Sequence, residues 1–344
     1  MTLFRKLLLI LLISIVLGCS PGLKIEPRGW SSPLYKEELF VGSLKGKLVV
    51  VDPGRGEVVS KYPKEDHLGH FYGDLKIKDG KIYFGTFKGK IYSFDIEKRE
   101  LVPIFDAGSP IVCSLRLYDG RIFFGTSDGF FYALMEDGSL DWKYRAGGAI
   151  WSTCEIGGDK IIFGSFDKKL YFLSLSGEPL MKMDVGGIIA SKPLYKDGRI
   201  YFGSFDRKFR CISEDGKLEW EFEGDNWFWC DPVYFDGGIV VGCLDHKLYF
   251  ISQDGELRWE FKTGGPIRSS PLILDGRIII ASGDGRVYSL SRDGEILWKS
   301  VDLGSPIYSG IGTDGERLFV MTQKGFLYCL RADNGIQVWS IPLK

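Results

Sequence analysis

Several residue types are scarce or balanced in this chain. The 344 residues include 3 histidines and 5 methionines, and the 44 basic residues nearly cancel the 45 acidic ones. Without a basic excess, the chain lacks the charge that neutralises a phosphate backbone, which argues against a nucleic-acid partner. Glycine and aromatic residues are abundant instead, at 45 Gly, 9 Trp, 16 Tyr and 24 Phe. This mixture suits many short strands joined by tight turns and argues against a helical protein.

The N-terminal region lacks a hydrophobic run long enough to cross a bilayer. Its apolar run extends from Leu7 to Leu17, is interrupted by Ser14 and follows the basic pair Arg5-Lys6. Such a run is too short for a permanent transmembrane helix. A basic start followed by a short apolar run is typical of a processing signal, which is not part of the fold.

The end of this run, Val16-Leu17-Gly18-Cys19, resembles a bacterial lipoprotein box. In such a box, cleavage before the cysteine exposes a residue that carries lipid. We therefore expect residues 1–18 to be a signal peptide, Cys19 to be the lipid-attachment residue and residues 19–28 to form a tether. An ordinary export signal with an incidental cysteine is the alternative.

The rest of the chain repeats itself. The phrase Asp197-Gly198-Arg-Ile-Tyr-Phe-Gly203 is echoed in the other copies, and its last residue recurs about every 39 residues. We call this recurring residue the anchor of each repeat. The eight anchors are Gly42, Gly85, Gly125, Gly164, Gly203, Gly242, Ala281 and Met321. Eight copies of one supersecondary unit therefore fill the chain after the tether.

Each copy contains four runs with alternating apolar residues, separated by turn residues such as Asp275-Gly276. Four such runs predict a four-stranded antiparallel sheet. One unit of about 39 residues is too small to hold its own core, whereas eight sheets stacked around an axis bury both faces of each. The sequence therefore predicts an all-β fold, an eight-bladed β-propeller that forms one domain over residues 29–344.

The most distinctive sequence motif of the repeat lies in the third strand and the turn after it. An example is Leu327-Tyr328-Cys329-Leu330, followed by Gly335 and Trp339. This resembles the repeat of the pyrroloquinoline-quinone (PQQ) type propellers, in which a tryptophan stands four residues after a glycine. The matching tryptophans here are Trp142, Trp220, Trp259, Trp298 and Trp339. The resemblance implies that these side chains dock one blade onto the next rather than bind a ligand.

Dehydrogenases of that family bind PQQ and calcium with the help of two adjacent cysteines. No two cysteines of this chain are neighbours, so we expect no PQQ, no other cofactor and no enzymatic activity. Cys113 and Cys230 occupy a position that other copies fill with Gly or Ser, twelve residues before the anchor. That pattern favours free, structural thiols, while a disulfide set remains the alternative for an exported protein.

A binding site is expected where the loops between blades meet the propeller axis. Thirteen residues before the anchors stand Gly29, Tyr72, Val112, Trp151, Ala190, Trp229, Arg268 and Tyr308. The loop Asp225-Asn226-Trp227-Phe228-Trp229 is dense in aromatic residues, and exposed loop aromatics commonly mark binding surfaces. The candidate binding residues are Trp151, Trp227, Phe228, Trp229, Arg268 and Tyr308. A plug of aromatic side chains that fills the channel mouth is the alternative.

The lengthened loop that holds His67 and His70 could hold a metal, with Asp66 or Asp74 as a further ligand. A short His-x-x-His pattern is unspecific, so we interpret this segment as a solvated loop and expect no metal.

The chain as a whole is similar to the propeller lipoprotein subunit of the outer-membrane β-barrel assembly machinery, in its lipoprotein box, eight PQQ-type blades and lack of cofactor residues. This similarity implies a non-enzymatic protein-binding scaffold of the cell envelope, whose partner is an envelope protein such as an outer-membrane assembly barrel. The anchor at Cys19 would lie in the outer membrane facing the periplasm, or on the outer face of the plasma membrane in a host with one membrane. A tethered module that binds a small ligand or a glycan is the alternative.

Overall fold

The computed structural model describes residues 29–343. The expected signal peptide, Cys19 and the tether lie outside the described residues, as does Lys344. The described chain forms eight four-stranded antiparallel sheets, each built from four consecutive strands in sequence order. The sheets are the blades of a propeller, which confirms the predicted fold.

Blades are numbered along the chain, and strands β1–β32 follow the same order. Blade 1 contains β1 (Leu34–Lys36), β2 (Glu38–Gly42), β3 (Leu48–Asp52) and β4 (Glu57–Tyr62). Blade 2 contains β5 (Lys76–Lys78), β6 (Lys81–Gly85), β7 (Lys90–Asp95) and β8 (Glu100–Asp106). Blade 3 contains β9 (Arg116–Tyr118), β10 (Arg121–Gly125), β11 (Phe130–Met135) and β12 (Leu140–Arg145). Blade 4 contains β13 (Glu155–Gly157), β14 (Lys160–Gly164), β15 (Lys169–Ser174) and β16 (Pro179–Asp184).

The second half of the ring repeats this plan. Blade 5 contains β17 (Leu194–Lys196), β18 (Arg199–Gly203), β19 (Lys208–Ser213) and β20 (Leu218–Glu223). Blade 6 contains β21 (Val233–Phe235), β22 (Gly238–Gly242), β23 (Lys247–Ser252) and β24 (Leu257–Lys262). Blade 7 contains β25 (Leu272–Leu274), β26 (Arg277–Ala281), β27 (Val287–Leu290) and β28 (Ile296–Lys299). Blade 8 contains β29 (Gly312–Thr313), β30 (Arg317–Met321), β31 (Phe326–Arg331) and β32 (Gln337–Pro342).

The turn between the first two strands sets the register of each blade. In blade 2 it consists of Asp79 and Gly80, at φ 48° and 72°, a pair that matches the twist of a tight hairpin. Blade 1 has the single residue Glu37 there, at φ 60°. The first strand of blade 1 is therefore displaced by one residue, and Trp30, not Gly29, takes the position at the axis.

The hydrophobic core lies between neighbouring blades. One buried cluster combines Val49 and Val51 of blade 1 with Phe319 and Cys329 of blade 8. Each blade therefore shares its apolar faces with both neighbours, which explains why a single repeat cannot fold alone.

Among residues 29–343, no helix has the length and apolar character needed to cross a membrane.

The five predicted docking tryptophans each join their own blade, one of blades 3, 5, 6, 7 and 8, to the next blade. The indole Nε1 of Trp142 donates to the carbonyl of Leu175 at 3.1 Å, and that of Trp220 donates to Gln253 at 2.8 Å. Trp259 and Trp298 repeat the contact with Arg292 and Ala332 at 3.0 and 3.2 Å. Their rings lie on the glycine of the facing turn, where a Cβ would clash with the indole.

Candidate functional site

The first strands of the blades surround a central channel, and the residues that precede them form three layers along it. The upper layer consists of Trp30, Tyr72, Val112, Trp151, Ala190, Trp229, Arg268 and Tyr308. The middle layer consists of Ser31, Gly73, Cys113, Ser152, Ser191, Cys230, Ser269 and Ser309. The lower layer consists of Ser32, Asp74, Ser114, Thr153, Lys192, Asp231, Ser270 and Gly310. Residues from all three layers line a cavity of about 130 Å³.

Aromatic rings crowd the upper layer. Trp30 packs edge-on against Tyr72 with ring centroids 4.4 Å apart, and lies 6.4 Å from Trp229. The indole Nε1 of Trp151 donates to the Ser127 hydroxyl at 3.1 Å, which fixes this ring. Five of the eight upper-layer residues are therefore aromatic.

Arg268 is the cation of this layer. Its guanidinium lies 4.4 Å from the ring centroid of Tyr308 and 5.6 Å from that of Trp229. Burial lowers the pKa of Arg268, against a smaller opposing effect of Tyr308. Among residues 29–343, no carboxylate pairs with this guanidinium, and its buried Nε has no hydrogen-bond partner. A partly buried guanidinium that contacts aromatic rings but no carboxylate can bind an anionic group through charge-assisted hydrogen bonds.

A second group of aromatic residues packs against the rings of the upper layer. This group was not predicted from the sequence. Phe205 lies between Trp227 and Trp229, with centroid distances of 4.7 and 5.1 Å. Phe166 contacts Trp151 at 4.5 Å, and Phe87 contacts Tyr72 at 5.2 Å. These three phenylalanines each stand two residues after their anchor, so the repeat alignment contained the signal.

The middle layer is crowded, and every one of its positions carries Ser, Gly or Cys. A Cβ on Gly73 would lie 2.1 Å from the carbonyl oxygen of Cys113. Cys113 Sγ lies 3.3 Å from the amide nitrogen of Gly125 and 3.4 Å from its carbonyl oxygen. In blade 7 the Ser269 hydroxyl makes the equivalent contact, donating to the Ala281 carbonyl at 2.9 Å. The thiol in blade 3 and the hydroxyl in blade 7 therefore make equivalent contacts with the backbone carbonyl of the anchor residue.

The cysteines of residues 29–343 are Cys113, Cys154, Cys211, Cys230, Cys243 and Cys329. All of them are free and buried, so none forms a disulfide within the described residues. Burial raises the pKa of Cys113 to about 11 and that of Cys211 to about 12. Such thiols are poor nucleophiles at neutral pH.

The lower layer is a belt of hydrogen bonds between blades. A backbone N–H in one blade donates to the side-chain oxygen at the same position of the next blade. This occurs from Ser32 to Asp74, Asp74 to Ser114, Ser114 to Thr153, Lys192 to Asp231 and Asp231 to Ser270, at 2.8 to 3.2 Å. The belt holds the inner strands in a fixed register around the channel.

The two carboxylates of the belt are in different electrostatic states. Partial burial alone would raise the pKa of Asp74, but the charge of Lys76 and the hydrogen bonds from Ser32 outweigh it and lower that pKa. Burial dominates at Asp231 and raises its pKa, although Lys192 opposes it. Lys192 is itself paired with Glu155, at 3.0 Å.

The structure brings together four of the six predicted binding residues. Trp151, Trp229, Arg268 and Tyr308 line the cavity, and Trp227 stands behind Trp229 on the far side of Phe205. Phe228 does not join them, since its side chain is fully buried between blades 5 and 6. His67 lies on an exposed loop, and residues 29–343 contain no cluster of three potential metal ligands.

The fold and the channel define a β-propeller of eight PQQ-type blades. The model of the family described as outer membrane protein assembly factor BamB matches residues 45–176, 226–307 and 284–344, and the chain belongs to this family. No curated protein shows a significant sequence match.

Two solved structures share the fold. The crystal structure of BamB from Moraxella catarrhalis is 16% identical, with a TM-score of 0.70 over 84% of this chain and 92% of that one. The computationally designed Ika8 protein is 15% identical, with a TM-score of 0.72 over 80% of this chain and 88% of that one. At such identities the likeness shows a common fold.

Proposed function

We propose that the protein is a non-enzymatic scaffold of the cell envelope, lipid-anchored through Cys19, that binds a partner in outer-membrane protein assembly. Membership of the BamB family is the observation that carries this proposal. The lipoprotein box at Val16–Cys19 supports export and anchoring. The lack of neighbouring cysteines supports a role other than that of the PQQ dehydrogenases.

The outer rim suggests where a partner chain binds. The fourth strand of each blade is the outer edge of its sheet, and an unpaired edge can accept an extra strand. Exposed aliphatic residues concentrate on blades 7, 8 and 1, and we call this set the aliphatic arc. It consists of Ile296, Leu297, Val301, Ile336, Val338, Val58 and Val59.

Other outer edges are protected by charge. In blade 5, Leu218 is followed by Glu219, Glu221 and Glu223 in β20. Charged residues on an edge strand discourage pairing with another chain. We therefore place partner binding at the arc, where Ile336 is 61% exposed, rather than at blade 5.

Site-specific photo-crosslinking in native envelopes tests the proposal. A photoreactive residue at Ile336 should capture a protein of the outer-membrane assembly apparatus, identified by mass spectrometry. Leu218 is the control because it is an exposed aliphatic residue, 49% exposed, at the start of the fourth strand of blade 5, whereas Ile336 directly precedes the fourth strand of blade 8. Capture from position 336 and little from position 218 would support both the function and the surface.

Two further outcomes separate the function from the surface. Equal capture of the same apparatus from both positions would support the scaffold and reject the arc. If neither position captures an outer-membrane assembly component, and whole-envelope crosslinking also recovers none, the proposed function is overturned.

A further inference from the structure

We propose that the channel mouth is a binding site for a monocarboxylate with a ring-sized apolar body, whose carboxylate pairs with Arg268. Two independent features of the described residues support it. One is the guanidinium without an anionic partner, and the other is the cavity of about 130 Å³ that opens beside it. This site goes beyond the scaffold function and does not depend on it.

The charged residues around the cavity favour a ligand that carries a single negative charge. Arg268 is the one basic residue among those that line the cavity, while Asp74 and Asp231 line its lower part. A phosphate dianion usually needs several donors, whereas one guanidinium is the cationic donor group among the residues that line this cavity. A single carboxylate fits the two donor groups of one guanidinium without a second cation.

The volume and the lining of the cavity indicate the size and the apolar character of the ligand body. A cavity of about 150 Å³ in another protein holds one benzene molecule, so this cavity accepts one ring-sized group. Trp30, Trp229 and Tyr308 provide aromatic faces around Arg268, against which a flat or aliphatic body can pack. A multi-ring cofactor does not fit this volume.

The carboxylate could belong to a free small molecule or to the C-terminus of a peptide, since both present the same group. The first measurement is calorimetric titration of the full-length lipoprotein in detergent with phenylacetate and with its neutral counterpart, phenylacetamide. The acid should bind at least about tenfold more tightly, because only the acid pairs with the guanidinium. This comparison uses the unmodified protein, so it does not depend on the folding of a variant.

The second measurement compares Arg268→Gln with Arg258→Gln. Arg258 is an exposed arginine on β24 and is the matched control. We expect the first substitution to weaken phenylacetate binding by at least about tenfold and the second to change it by less than about twofold. The far-ultraviolet circular dichroism of both variants should match that of the parent.

The third measurement separates the two sources of carboxylate. Acetyl-Ala-Phe with a free C-terminus should bind more tightly than phenylacetate if the site takes a peptide end, and the amidated peptide should not bind. Tighter binding of phenylacetate than of the free-acid peptide would assign a free small molecule and still support the site. If neither acid binds, or if acid and amide bind equally, Arg268 is part of an aromatic plug and the proposal is overturned.

Discussion

The indole Nε1 of Trp339 donates a hydrogen bond to the carbonyl of Pro53 at 3.1 Å, across 286 residues of sequence. The same ring lies over Gly56, where a Cβ would come within 2.5 Å of it. Arg317 of blade 8 also donates to the Pro53 carbonyl, at 2.6 Å. Within residues 29–343, blade 8 therefore meets blade 1 through the same contact that follows blades 3, 5, 6 and 7, with each blade keeping its own four strands.

A first prediction concerns this closure. Trp339→Ala should lower the free energy of unfolding by about 3 kcal/mol, because a large ring and its hydrogen bond are lost. Amide exchange should increase mostly in blades 8 and 1. Trp220→Ala removes the equivalent contact between blades 5 and 6 and should increase exchange there instead, because the blades of a repeat protein contact mainly their neighbours. Identical exchange maps for the two variants would contradict this.

A second prediction isolates the docking contact from backbone strain. Gly335 and Gly276 both have φ 71°, but a Cβ on Gly335 would lie 2.4 Å from the Trp298 ring, whereas one on Gly276 meets nothing within 4 Å. Gly276→Ala should cost about 1 kcal/mol for the left-handed conformation alone. Gly335→Ala should cost about 2 kcal/mol more, because the indole must move. Urea denaturation measures both, and equal losses would argue against the docking role.

A third prediction compares two buried cysteines. Cys113→Ser should change the free energy of unfolding by less than about 1 kcal/mol, because a hydroxyl already occupies the equivalent position in blade 7. Cys329 lies among Phe319, Leu327 and other apolar side chains, so Cys329→Ser should cost about 2 kcal/mol for a buried hydroxyl. Denaturation of both variants tests the difference, and a larger loss for Cys113→Ser would reverse our interpretation of the middle layer.

A fourth prediction concerns pH and the two belt carboxylates. The pKa of Asp74 is lowered from 3.8 by folding, so its contribution to stability is present above that value and is lost as the pH falls through the folded-state pKa. The pKa of Asp231 is raised from 3.8, so its contribution favours the fold below 3.8 and is lost as the pH rises through the folded-state pKa.

Substitution by asparagine keeps a carbonyl oxygen for the belt and removes the charge. Asp74→Asn should therefore destabilise the protein at pH 7 and have less effect in acid, with a size limited by solvent because the side chain is 40% exposed. Asp231→Asn should be neutral or stabilising at pH 7. Unfolding curves between pH 3 and pH 7 provide the measurement, and parallel behaviour of both variants would show that the two sites are electrostatically alike.

Much of the fold was predictable because the repeat is local. The Asp-Gly turns, the alternating strands and the glycine four residues before each docking tryptophan all depend on neighbouring residues, and the repeated copies reinforce one pattern. The inner position of blade 1 was mispredicted as Gly29, because the shorter turn at Glu37 displaces Trp30 into it.

The sequence by itself determined the number of blades, their strands and the docking tryptophans, since periodicity and turn chemistry act over short distances. Only the tertiary structure decided which loop residues face the axis. Trp227, Phe228 and Trp229 are consecutive, yet Trp229 lines the cavity, Trp227 packs on Phe205 and Phe228 fills the core between blades. It also placed Arg268 between the rings of Trp229 and Tyr308, with no counter-ion among residues 29–343, because these side chains come from three successive blades and meet only when the ring of blades forms.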